Sequence, residues 1–105
     1  MTAPERTDDG RWIVVDGRRW RAEDPSLDAE VATRLRSHLG RARSAVRSGP
    51  DDASERRARD RVQLAKEGLG ERGTAWWELT EAERAERAAE RLASLDELAP
   101  PEHRS

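Results

Sequence analysis

The chain has 105 residues, 20 Lys+Arg against 22 Asp+Glu, four Trp, and no Phe, Tyr or Cys. That leaves room for one small domain and excludes disulfides, thiolate chemistry and zinc-ribbon sites. Nine Leu, five Val and one Ile beside 16 Ala promise a thin core, at a level usual in disordered chains, yet a net charge of −2 lacks the self-repulsion that disorder favours. Two His far apart, His38 and His103, offer few metal ligands, so neither a metal nor any other cofactor is expected. The opening MTAPERTDDG is polar and acidic, unlike a secretory signal, and no run approaches the roughly 20 apolar residues of a membrane span. The expectation is a cytoplasmic protein with no membrane partner.

Residues 1–10 carry no apolar pattern and read as a disordered N-terminal segment. Residues 11–22, RWIVVDGRRWRA, read as a β-hairpin, because Asp16-Gly17 suits both positive-φ positions of a type I′ turn. That turn sets Val15 opposite Arg18, Val14 opposite Arg19, Ile13 opposite Trp20 and Trp12 opposite Arg21. One face then holds Ile13, Val15, Arg18 and Trp20; the other holds Trp12, Val14, Arg19 and Arg21. A hairpin alone is marginal in water, so the more apolar Ile13/Val15/Trp20 face is expected to lie on helices.

Asp24 or Ser26 is placed to cap a helix starting between Pro25 and Asp28, whose stripe is Val31, Leu35, Leu39, Ala42 and Val46. Arg36, Arg43 and Arg47 flank that stripe on one side, Arg34 and Arg41 on the other. After the break at Ser48-Gly49-Pro50-Asp51 a second stripe runs Ala58, Val62, Ala65, Leu69, and so short a connection makes the pair antiparallel. Gly68 or Gly70 should end this helix, with Gly70 and Gly73 bracketing a turn. Trp76-Trp77 follow, and then Thr80 and Glu83 form a capping box ahead of Ala85, Ala88, Leu92, Leu95 and Ala99. The third helix either docks back or reaches a partner. The predicted fold is therefore α+β, mainly α: an N-terminal hairpin packed on an antiparallel helical hairpin over 11–79, a charged C-terminal helix over 80–99, and a disordered tail over 100–105.

Two blocks, WIVVDGRRWR and LGERG-x-x-WWE, resemble a family of small uncharacterised proteins from GC-rich bacteria that often carry the label "biopolymer transporter Tol"; the likeness spans about Trp12 to Glu78. A transporter component of that kind implies a membrane helix or an export signal, and this sequence shows neither, so the resemblance implies an architecture and the importance of the two blocks. Thr74-Ala75 stand where the family pattern has a Pro beside the Trp pair.

Trp20 and at least one of Trp76 and Trp77 are expected to supply the missing core. Trp12, beside Arg21 at the open end of the hairpin, is expected to be partly exposed, and Trp12, Arg18, Arg19, Arg21, Trp76 and Trp77 form the candidate interaction surface. Segment 28–50 holds five basic and two acidic residues and segment 74–105 four basic and eight acidic, so a basic first helix faces an acidic last one. The bland reading is mutual neutralisation across the fold or across a dimer. The sharper one is a nucleic-acid surface using the Arg18/Arg19/Arg21 edge with Arg34, Arg36, Arg41, Arg43 and Arg47.

Catalytic constellations are weaker still. His38 reads as a boundary residue, its neighbour Ser37 points elsewhere on the helix, and Gly70-Glu71-Arg72-Gly73 lacks the Lys-Ser/Thr of a phosphate loop. No catalytic residue is assigned. The expected function is a small non-catalytic interaction or adaptor module with a protein partner or self-association, and a nucleic-acid-associated protein is the alternative.

Overall fold

A computed structural model describes residues 5–100. Strands β2 (Trp12–Val15) and β3 (Arg18–Arg21) form the hairpin with the expected register, Trp12 opposite Arg21 through Val15 opposite Arg18. Asp16 and Gly17 both take positive φ, 51° and 78°. Asp tolerates that region better than most residues, and Gly enters it without strain.

The sequence assigns 1–10 to disorder, and the described part of that segment is instead ordered. Glu5–Arg6 form β1, antiparallel to β2, with Glu5 opposite Val14 and Arg6 opposite Ile13. Thr7–Gly10 close the turn: Thr7 N–H donates to the Trp12 carbonyl at 2.9 Å, and the Asp9 carboxylate accepts from Arg11 N–H at 3.0 Å and from the Thr7 hydroxyl at 2.6 Å. The sheet is thus three-stranded in the order β1-β2-β3. The expected disorder of 1–4 and of 101–105 lies outside the described residues.

Helix α1 (Ala29–Ser48) starts just past the expected window and is capped not by Asp24 or Ser26 but by Asp28, whose carboxylate accepts from Glu30 and Val31 N–H. Asp24 instead binds Ser26, through its N–H at 2.9 Å and its hydroxyl at 2.8 Å. Helix α2 (Asp52–Leu69) starts at Asp51, which accepts from Ser54 N–H at 2.8 Å. It stops at Gly70, at φ 89°, where Gly70 and Glu71 N–H groups satisfy the carbonyls of Glu67 and Lys66. A single 3-10 turn (Trp76–Glu78) leads to α3 (Glu81–Leu98), and the Thr80/Glu83 capping box is formed in both directions.

One core joins all three helices: Ala32, Leu35 and Leu39 of α1, Ala65 and Leu69 of α2, and Ala88, Leu92 and Leu95 of α3. Helix α3 therefore docks on the antiparallel pair and belongs to the same packed unit. Close approach is allowed at Gly68, where an added Cβ would lie 2.9 Å from a Leu35 methyl and 3.2 Å from the Arg91 Cβ. Among the described residues no helix is long and apolar enough to cross a membrane.

The sheet is stitched to the helices by the segment after β3. Ala22, fully buried, donates its N–H to the Arg11 carbonyl and accepts from the Trp76 indole N–H at 3.0 Å. Asp24 N–H donates to the Leu69 carbonyl at the end of α2.

Candidate interaction surfaces

The register of the hairpin sorts its side chains, and the face that turns inward is the one carrying Trp12, Arg19 and Arg21. Trp12 meets Trp77 at 5.5 Å between ring centroids, and Trp77 meets Trp76 edge-on at 5.2 Å. Guanidinium groups cover the exposed ring faces: Arg19 over Trp12 at 4.8 Å, Arg11 and Arg21 over Trp77 at 4.9 and 5.7 Å, and Arg84 over Trp76 at 5.2 Å. Arg21 also donates to the Gly73 carbonyl at 2.7 Å, and Arg87 to that of Thr74 at 2.7 Å, so two arginines hold the Trp loop. Arginine stems can bury like apolar side chains while their charged ends stack or bond. That is why counting apolar residues per face pointed to the wrong side of the hairpin.

The outer face consequently carries Ile13, Val15, Arg18 and Trp20, with Arg6 of β1 in the same row as Ile13. Trp20, expected in the core, is 44% exposed and Val15 39% exposed. Arg18 lies 4.7 Å over the Trp20 ring. Of the six candidate surface residues, Trp76 is removed by its burial, Trp12, Arg21 and Trp77 gather in a half-buried wedge, and Arg19 stacks over Trp12 from its exposed side. Arg18 stays on the open outer face, beside the Trp20 expected in the core.

The α1 arginines divide along the two sides of the stripe. On one side Arg34 pairs with Asp96 of α3, and Arg41 donates to His38 Nδ1 at 3.0 Å and to the Ala99 and Pro100 carbonyls at 3.5 Å. On the other, Arg36 pairs with Glu23, whose carboxyl is pushed up by burial against the pull of Arg36, while Arg43 and Arg47 face solvent. Three of the five residues proposed for nucleic acid are thus engaged within the fold.

His38, read as a boundary residue, is buried. Its Nε2 lies 2.7 Å from Asp96 Oδ1, and because Arg41 donates to Nδ1, Nε2 carries the proton given to Asp96. Both ring nitrogens are occupied. Burial would raise the Asp96 carboxyl, yet the His38 hydrogen bond and the Arg34 charge outweigh it and hold the group below its ordinary value. Among the described residues no group of three or more His, Asp or Glu is placed to hold a metal.

No family model, curated protein or solved structure matches this chain.

Proposed function

We propose that this chain is a small, non-catalytic protein-interaction module of the cytosol, with the outer sheet face around Trp20 as its contact surface. The observation that supports it most is the exposure of Trp20, flanked by Ile13, Val15 and the stacked Arg18. A chain with four Trp and no other aromatic leaves one of them largely outside its own core. Trp and Arg are the side chains that most often dominate the centre of a protein interface, and covering the exposed part of one indole contributes on the order of 2 kcal/mol. Trp20 sits on the edge strand β3, which reads Arg-Arg-Trp-Arg, and charge along an edge discourages addition of a further strand. Docking by side chains across the face is the mode this favours. His38, with both nitrogens engaged, serves packing between α1 and α3.

Affinity capture from native cells, with the full chain and its Trp20→Ala variant as parallel baits, tests the reading. A co-purifying protein held by the wild type and reduced at least tenfold with Trp20→Ala, at unchanged far-UV circular dichroism, supports it. Equal recovery of the same species by both baits contradicts it.

A further inference from the structure

A second surface lies on the other side of the helical unit. Helical spacing puts Arg34, His38 and Arg41 on the α3 side of α1, and Arg43 and Arg47 on the opposite side. There Arg43, Val46 and Arg47 of α1, Arg59 and Val62 of α2, and Arg72 beyond α2 line an open groove of about 280 Å³. Its floor is apolar and its walls are cationic. The partners of these cations do not neutralise them: Arg47 reaches the Ser44 hydroxyl, Arg72 donates to the Gln63 amide oxygen at 2.6 Å, and Arg43 has no partner among the described residues. Arg59 pairs with Glu55 at 3.2 Å on an exposed helix face, where such a pair stabilises little. Lys66 feels the same field, since burial, then Arg72 and Arg43, hold its ammonium below the ordinary value.

The outward face of α3 is the complement. Ala82, Ala89 and Ala93 lie there beside Glu86, Glu90 and Glu97, all exposed, and none of these three carboxylates has an ion-pair partner among the described residues. At 1.5 Å rise per residue the acidic row from Glu86 to Glu97 spans about 16 Å. Small alanine side chains let a helix approach a partner closely, as the Val46/Val62 floor requires.

We propose that the Arg43/Arg47/Arg59/Arg72 groove receives the Glu86/Glu90/Glu97 face of α3 from a second copy of this chain. Groove and acidic face lie on opposite sides of the three-helix unit, so the contact is heterologous. Each added copy exposes a new groove and a new acidic face, and assembly proceeds head to tail into chains or a ring. A nucleic acid fits less well. The groove lining contains no aromatic ring for a base to stack on. A second protein copy offers carboxylates over a short row and an apolar strip between them.

Sedimentation velocity on the full chain tests this, over a wide concentration range at low and at high salt. The wild type is expected to gain mass with concentration at low salt and to return to monomer near 1 M salt, where the Debye length is about 3 Å. Arg47→Glu with Arg59→Glu, and separately Glu86→Arg with Glu90→Arg, each weaken self-association at least tenfold. Mixing the two double variants restores it, because each groove then meets an α3 face of opposite charge. Trp20→Ala leaves it unchanged, which separates this contact from the sheet face. All altered positions are exposed, and circular dichroism confirms folding; if a reversal unfolds the chain, Arg43→Gln with Arg47→Gln takes its place. A strictly monomeric wild type at low salt overturns the proposal. So does self-association indifferent to both reversals, or a mixture of folded variants that does not associate.

Discussion

Asp96 binds two groups of α1 at once, the Arg34 guanidinium and the His38 ring, and so ties α3 to α1 across the outer side of the core. Its carboxyl sits below the ordinary value in the folded chain, which fixes the sign of its contribution. The stability it supplies is present above the unfolded value, about 3.9, and is lost as pH falls through the lower folded value. Equilibrium unfolding of wild type and Asp96→Asn between pH 2 and 7 should therefore show a stability gap at neutral pH that narrows in acid. A gap constant with pH would contradict the assignment. None of this was legible from His38 itself. It stands beside the Leu35/Leu39 stripe, and its carboxylate partner is a residue 58 positions away. Sequence spacing within one helix carries no information about such a partner.

Signals carried by a single element were readable in advance, because capping and turn chemistry are local. Asp16-Gly17 fixed the hairpin register, Gly70 ended α2, and Thr80 with Glu83 started α3. The short strand β1 escaped, since two residues carry no periodicity; Asp9-Gly10 in its turn was the available clue. The docking of α3 is not legible in a seam that is mostly Ala, and the close approach at Gly68 accompanies it. Gly68 lets Leu35 of α1 and Arg91 of α3 press against the α2 backbone. Adding a methyl there improves helix propensity by about 1 kcal/mol but forces contacts that real side chains avoid, and overpacking typically costs 1–3 kcal/mol. Gly68→Ala should accordingly fail to stabilise and should lose on the order of 1 kcal/mol in urea unfolding, whereas a gain would show that the three helices are less closely packed than described.

For the whole molecule, scarcity of apolar side chains is met by a wedge of stacked Trp and Arg between sheet and helices. The sequence places every tryptophan in a plausible element, and Trp20, expected inside, is the one that lies outside; the partly exposed Trp12 and the buried Trp76 agree with expectation. A face containing two arginines looks polar by composition, and only the nearness of Trp77 and of the Gly73 carbonyl makes it the one turned toward the helices. The charge asymmetry was legible as a basic α1 and an acidic α3. How it resolves, with Arg34 reaching Asp96 of α3 and Arg43 and Arg47 left in an outward groove, depends on the packing of α3. The central claim is the division of the tryptophans into a structural wedge and an external contact. Urea unfolding followed by far-UV circular dichroism, comparing Trp20→Ala with Trp76→Ala, tests it most directly. Trp20→Ala should cost about 1 kcal/mol or less, and Trp76→Ala, which loses a buried ring and its hydrogen bond to Ala22, about 3–5 kcal/mol or the fold itself. Equal losses, or a larger loss at Trp20, would contradict that division.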